Sequence, residues 1–432
     1  MNNYINIVKN SIINLYKRGA VAIIIGNFTT SFLTFFGSIV IVRVMTKTDF
    51  GVLSYIENLY GFIYIFMGMG LKNAILRYIV LGDTIEEKSK RYNYLIKMGS
   101  LFNIALVGIS LIFNLFYEHP SQYDDICFLM GIYIILLIPQ YISECNITNY
   151  RAFFDNNQFA ISSIVLSVGI ILSKIIGYKI FDLFGIIILM IITYCLVSII
   201  TTIDNKYRYF RHENGCIKNK KLIKEINIYS LQYMLTNGVW GLFMLVDVYL
   251  IGYLTNDLTL VADYKVAHVF PGAMTILSST IGIFVTPYFV KNEKNKLWIK
   301  NKYKLLFIIT AAFIGITIIF LMLISKYLII HIYGEQYLNI TPVMIMLFIG
   351  AFFNAGIRYT SANVLAALGL VSYNLKVSIC GIIFEIIIDI VLIPRFGLYG
   401  VAFSNIIVYV YMAVALTIFF YKHYFIHSSD EG

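Results

Sequence analysis

The chain has 432 residues, of which 59% are hydrophobic and only 13% charged, with a mean hydropathy of +0.79. Soluble domains carry roughly 25% charged residues, so a water-soluble globular protein is excluded. The formal net charge of +10 would suggest nucleic acid as a partner of a soluble protein, but the basic residues here crowd into short loops between apolar runs, the pattern of a bilayer protein.

Apolar runs long enough for the roughly 20 residues of a membrane span recur at about 19–42, 53–80, 95–116, 125–150, 159–180, 184–204, 227–254, 263–290, 305–331, 341–368, 376–394 and 400–421. The pattern predicts an all-α polytopic membrane protein of about twelve transmembrane helices. The first run follows Lys17 and Arg18 without a small-residue cleavage site, so it reads as a mature helix and not a signal peptide. An even number of spans puts both termini on one side. Lys9, Lys17, Arg18, Lys88, Lys90, Arg91, Lys97, Arg151, Lys291, Lys294, Lys296, Lys300, Lys302, Lys304, Lys376 and Lys422 share that side with the interval Asn205–Glu225. The opposite loops hold Arg43, Lys47, Lys179 and Arg395, so both termini are expected in the cytoplasm.

Asn205–Glu225 is the most basic segment, with Lys206, Arg208, Arg211, Lys218, Lys220, Lys221 and Lys224 between two apolar territories of similar length. It divides the chain into an expected N-terminal bundle (1–204), a cytoplasmic linker (205–225) and a C-terminal bundle (226–432). A weak internal repeat agrees: TKTDFGVLSY (Thr46–Tyr55) follows the first span and TNDLTLVADY (Thr255–Tyr264) the seventh. Parallel six-helix repeats place a substrate path between two bundles. The five cysteines are scattered with no CxxC spacing, so neither a disulfide framework nor a metal site is expected. No GxxxxGK[ST] loop occurs, the six histidines are dispersed and the outer loops are short. ATP hydrolysis and an enzymatic role are therefore not expected.

Three passages resemble the polysaccharide-biosynthesis flippases of the O-antigen and capsule type, within the multidrug/oligosaccharidyl-lipid/polysaccharide (MOP) exporter superfamily. They are IVRVMTKTDFGVLSY with GMGLKNAILRYIV (Gly68–Val80), DVYLIGYLTNDLTLVADYKVA (Asp247–Ala267), and VLAALGLVSYNLKVSICGIIFEIIIDIVLIPRFGLYGVAFSN (Val364–Asn405). The resemblance runs from the first span to the last, on diffuse motifs without a catalytic signature. It implies a MATE-like fold of two pseudo-symmetric six-helix bundles in a bacterial inner membrane. It implies further that undecaprenyl-diphosphate-linked oligosaccharide moves from the inner to the outer leaflet by alternating access, with a polysaccharide polymerase or chain-length regulator as protein partner and no nucleic acid. A cation-coupled multidrug exporter and a membrane polysaccharide polymerase or ligase are the alternatives. The first would be expected to rely on acidic residues in an apolar cavity, the second on a sizeable outer domain.

An ionisable side chain within a span costs about 2.5–3.5 kcal/mol on insertion scales and usually faces a bundle interior or a wet cavity. On the second helix Glu57, Gly61, Tyr64, Gly68 and Lys72 recur at offsets of three or four residues, a stripe suited to a cavity wall or to close packing through the glycines. Lys72 and Arg77 are candidates to collect a lipid diphosphate, Arg as a planar fork and Lys as a point charge, or to anchor headgroups. Gln140, Glu144, Thr148 and Arg151 share a face of the fourth helix, and Asn354, Arg358 and Ser361 one of the tenth. Arg358 lies deep in its span, as a substrate contact or in an ion pair for which Glu144 is a candidate partner. Asp247, above Tyr233 and Trp240 on the seventh helix, is a candidate for H⁺ or Na⁺ coupling, or for a structural hydrogen bond to Lys265 or Tyr264. Glu385 and Asp389, four apart on the eleventh helix, are candidates to share a proton or hold Na⁺, or equally to line a hydrated groove; no other cofactor is expected. Pro139, Pro271 and Pro287 fall where bends would serve as hinges.

Overall fold

In the computed structural model, residues 20–120, 125–210, 215, 217, 219–422 and 424 are described. Lys9, Lys17, Arg18, Arg211, Cys216 and Lys218 lie outside the described residues, as do positions 121–124 of an outer loop. Every described element is a helix. In chain order these are α1 (Ala20–Val44), α2 (Lys47–Ile65), α3 (Leu71–Val80), α4 (Ile85–Phe116), α5 (Ile126–Ile135), α6 (Leu137–Ala152), α7 (Asn156–Tyr209) and α8 (Lys220–Thr255). There follow α9 (Leu258–Lys291), α10 (Lys296–Leu328), α11 (Thr341–Ala351), α12 (Tyr359–Ala367), α13 (Val371–Phe396) and α14 (Leu398–Tyr421).

The protein is a polytopic membrane protein. Among the described residues nine helical segments are long and apolar enough to cross a membrane, or ten if the bent pair α2 and α3 is one span. The expected count of about twelve differs for local reasons. The spans read at 159–180 and 184–204 belong to one 54-residue element, α7. At 1.5 Å per residue a straight helix of that length would reach about 80 Å, far beyond a hydrocarbon core of about 30 Å. Non-helical Phe181 (φ −144°) and Asp182 (φ 50°) break it. The two arms then lie side by side, with Ser173 Oγ 2.7 Å from Thr193 Oγ1 and 3.1 Å from the Leu189 carbonyl. The span read at 263–290 falls in α9, which is not among the nine. Side chains such as Ile316 (70% exposed), Leu323 (76%) and Phe116 (83%) point outward; apolar exposure of this kind suits lipid and not water.

Capping residues start several helices. Thr46 Oγ1 accepts from the Asp49 N–H (3.1 Å) while donating to the Asp49 carboxylate (2.6 Å), and Asp257 accepts from the Thr259 N–H (2.9 Å). Both caps satisfy backbone donors that a helix start leaves unpaired. They also give the repeated Thr–Asp passages a local physical reason.

The chain packs as two compact units. The first comprises Met1–Met45, Leu59–His119 and Tyr123–Gly238; the second comprises Thr46–Asn58, Pro120–Gln122 and Val239–Gly432. Helices α2 and α8 each give one part to either unit. Within the second unit the Thr46–Asn58 stretch is held by Lys47 Nζ to Asp263 Oδ1 (2.7 Å) and by Asn58 Nδ2 donating to the Leu245 carbonyl (3.1 Å). Gly51 sits so close to the Leu258 carbonyl that a Cβ there would collide with backbone. The apolar core of this unit includes Phe243, Phe289, Tyr303, Met412, Leu416 and Phe420, with the Tyr303 and Phe420 rings stacked 3.7 Å apart.

Candidate functional site

Between α2 and α3 the chain runs through Met67–Gly70, where Gly68 (φ 57°), Met69 (φ 51°) and Gly70 (φ 74°) are all left-handed. The two helices meet at 46°. The single stripe from Glu57 to Lys72 read from the sequence therefore does not exist as one continuous helical face. The break has its own partners: Asn103 Oδ1 accepts from the Gly68 N–H (2.7 Å), and the Tyr141 ring occupies the space where a Gly68 side chain would be.

Across this break, in the first unit, Tyr64 and Lys72 converge on Glu144 of α6. Lys72 Nζ lies 2.5 Å from Glu144 Oε2, Tyr64 Oη donates to the same oxygen (2.9 Å), and Gln140 Nε2 donates to Oε1 (2.9 Å). Tyr60 Oη continues the chain by donating to Gln140 Oε1 (2.7 Å). Both carboxylate oxygens are thus satisfied, as an ion inside a membrane protein requires. Glu144 is the partner of Lys72, and not of Arg358 as the sequence had allowed. Arg77, also in this unit, is exposed and lies over the Tyr229 ring (4.9 Å).

Glu57 and Arg358 belong to the second unit. There α11 ends in a π-helical segment, Phe352–Arg358; such wide turns insert a residue and often mark functional positions. The segment buries Arg358 to 5% exposure. Its Nη1 donates to Asn354 Oδ1 (2.9 Å), and its guanidinium lies over the rings of Trp240 (4.4 Å) and Tyr359 (5.3 Å). No carboxylate is among these partners, and among the described residues Nε has no acceptor. Ser361, expected on the same face, instead meets Tyr303 Oη (2.8 Å). Trp240, Asn354 and Tyr359 also line a cavity of about 170 Å³, together with His268, Asn405 and Tyr409. A water needs about 10–15 Å³ of such room, so the cavity has space for several.

Asp247, Glu385 and Asp389 are buried in the same unit, at 7%, 1% and 0% exposure. Asp247 Oδ2 accepts from Tyr264 Oη and from Asn405 Nδ2 (2.8 Å); Tyr264 is the partner the sequence offered. Glu385 and Asp389 of α13 both interact with Asp247, and Ser404 of α14 stands beside Asp389. Among the described residues no donor makes a hydrogen bond of good geometry to Asp247 Oδ1, Glu385 Oε2 or either Asp389 oxygen. Three carboxylates in such a setting cannot all carry charge without a counter-ion or protons. Among the described residues no group of three His, Cys, Asp or Glu side chains is arranged to hold a metal ion. Asn405, Tyr409 and His268 were missed by sequence reasoning; an Asn within the apolar run 400–421 was the available signal.

A family model described as polysaccharide biosynthesis protein matches residues 40–342. An uncharacterised membrane protein of Methanocaldococcus jannaschii is 22% identical over 402 residues, covering 85% of this chain and 76% of that protein. Among solved structures, a multidrug resistance MATE family transporter of the MOP superfamily in an inward-facing conformation superposes with a TM-score of 0.73 at 13% identity, over 93% of this chain and 96% of that one. The lipid II flippase MurJ in an inward closed conformation gives a TM-score of 0.73 at 17% identity, over 93% and 87%. The fold is that of these proteins.

Proposed function

From the premise that the chain belongs to the polysaccharide biosynthesis protein family, we propose that it is a flippase for a lipid-diphosphate-linked oligosaccharide. The substrate is undecaprenyl-diphosphate-linked, as for an O-antigen or capsule repeat unit. It passes from the inner to the outer leaflet of a bacterial cytoplasmic membrane by alternating access, with both termini in the cytoplasm. The carrying observation is Arg358: a buried guanidinium with no carboxylate partner among the described residues, held by three side chains that wall a cavity. An uncompensated cation in a membrane interior is costly. A site that receives phosphate, which Arg engages with a planar fork, gives that cost a purpose. Aromatic walls suit sugar rings, and Asn354 and Asn405 supply amides for hydroxyls.

Lys72, Arg77 and Glu144 in the first unit and Glu57 in the second contact the substrate in this reading, Lys72 in the form of its ion pair with Glu144. Asp247, Glu385 and Asp389 take up H⁺ or Na⁺ to drive the cycle. The chain does no covalent chemistry. Replacing Arg358 by Ala, with insertion into the membrane verified, is expected to abolish surface glycan and leave the lipid-linked unit on the cytoplasmic leaflet. Normal surface glycan in that strain would remove Arg358 from the site.

A further inference from the structure

The helical run that opens with α10 is longer than a bilayer needs. Lys296–Tyr333 counts 38 residues, about 57 Å at 1.5 Å per residue, against a hydrocarbon core of about 30 Å. Part of the surplus lies in the first two turns, because the outward-facing apolar series begins at Leu305 (50% exposed) and continues through Ile308, Phe313, Ile316 and Leu323. Before Leu305 stand Lys296, Lys300, Lys302 and Lys304, and before those Lys291 and Lys294, at the end of α9 and in the turn that follows. Lys300 is half-buried and the other five are exposed. Glu293, the one carboxylate between Lys291 and Lys304, interacts with Tyr424. Among the described residues no carboxylate pairs with Lys291, Lys294, Lys302 or Lys304. The corner is held from beneath: Asn295 Oδ1 accepts from the Trp298 N–H (3.0 Å), and Ile299 and Tyr303 are buried in the core of the second unit. With that side of the helix occupied, Lys296, Lys300 and Lys304, four apart, share another face.

We propose that this corner of the second unit, Lys291–Lys304, is a binding site for anionic phospholipid, whose headgroup phosphates are held by Lys296, Lys300 and Lys304 at the surface of one leaflet. The depth fits. From Leu305, where lipid contact begins, the three lysines rise about 12 Å along the axis, against a headgroup layer of about 5–8 Å. Their flexible stems carry the ammonium groups down to that layer. Continuity favours a lipid over an acidic protein. A phospholipid whose tails lie on Leu305 and Ile308 presents its phosphate to Lys304 and Lys300 without leaving the bilayer. Trp298, packed edge-on against Phe289 (5.4 Å), supplies an indole of the kind enriched where chains and headgroups meet. Each lysine near an anionic surface adds affinity that fades within a Debye length. Nothing in this placement depends on what the protein carries, so the site stands or falls apart from the flippase reading.

The chain has two tryptophans, Trp240 and Trp298, so Trp240→Phe with Trp298→Phe clears the background and Leu305→Trp puts a single indole where lipid contact begins. This protein is reconstituted in phosphatidylcholine vesicles containing rising fractions of phosphatidylglycerol brominated high in its acyl chains. Quenching is compared with that by equally brominated phosphatidylcholine, and the ratio gives the preference for the anionic lipid. A preference of about fivefold or more is expected at low salt, the contribution of a single lysine near an anionic surface. Most of it is expected to vanish at about 1 M salt, where the screening length falls to about 3 Å. Lys296→Gln, Lys300→Gln and Lys304→Gln together are expected to bring the ratio close to one, and Arg at the same three positions to keep it. The unsubstituted chain, purified from mixed micelles and weighed by native mass spectrometry, is expected to retain more phosphatidylglycerol than its glutamine variant. A ratio near one in the parent, an equal ratio or equal retention in the glutamine variant, or loss of the preference in the arginine variant would each overturn the site. Lysine-dependent binding of soluble polyglutamate by a parent without lipid preference would overturn it in favour of an acidic protein partner.

Discussion

Glu144 illustrates how much one side chain organises and how little of that its own helix reveals. Its position on a polar face of α6 was legible from Gln140, Glu144 and Thr148 spaced four apart. Which helix that face meets was not, because periodicity gives orientation and no partner. Lys72, Tyr64 and Gln140 saturate its oxygens, and this decides what substitution does. Removing one partner of a largely buried pair leaves an uncompensated charge, whereas replacing both by apolar groups is often neutral. Glu144→Leu alone is expected to lower stability by about 1–3 kcal/mol, and Lys72→Met combined with it to restore most of the loss. Thermal unfolding of the purified variants in detergent measures both. A double variant as unstable as Glu144→Leu would refute the pairing. For Asp247 the sequence did better: Tyr264 lay in the adjoining repeat passage and is its partner. Asn405 came from a distant helix and went unseen.

At the scale of elements, helices were legible where hydropathy was long and uninterrupted, and breaks were not. Gly68 and Gly70 in GMGLKN read as small residues on a continuous helix, because glycine is common in membrane helices. In the structure they and Met69 form a left-handed joint that lets Tyr64 and Lys72 reach one carboxylate. A non-glycine residue in that conformation costs about 1–2 kcal/mol, and a Gly68 side chain would also displace Tyr141. Gly68→Ala is therefore expected to lower the apparent melting temperature clearly, whereas Gly108→Ala, with open space around its Cβ position, is not. Equal melting curves for the two would show that the joint is not strained by a side chain. The π-helical segment at Phe352–Arg358 was equally silent in sequence, since a one-residue widening leaves hydropathy unchanged. It nonetheless determines that Arg358 meets Asn354 and Trp240 while Ser361 turns away to Tyr303.

For the molecule as a whole, composition alone indicated the class: few charges, many apolar runs and basic residues sorted into alternate loops. The fold shared with MOP superfamily transporters bears out the all-α, MATE-like expectation. The expected twelve spans stand beside nine, or ten with the bent α2–α3 pair, among the described residues, because α7 carries two of the hydrophobic runs on its two arms and α9 is not among those segments. The packing of Thr46–Asn58 with the later half of the chain also left no local trace, since it depends on contacts such as Lys47–Asp263 between residues far apart in sequence.

The function proposed for this fold is lipid-linked glycan transfer between leaflets that depends on a buried arginine. The direct measurement reconstitutes the protein in liposomes containing an undecaprenyl-diphosphate-linked oligosaccharide in both leaflets. A membrane-impermeant lectin then reads the glycan that becomes reachable over time. Wild-type protein is expected to expose the inner-leaflet pool, and Arg358→Ala, inserted in equal amount, to expose no more than empty liposomes do. Equal exposure by the two proteins, or none above empty liposomes by the wild type, would contradict it.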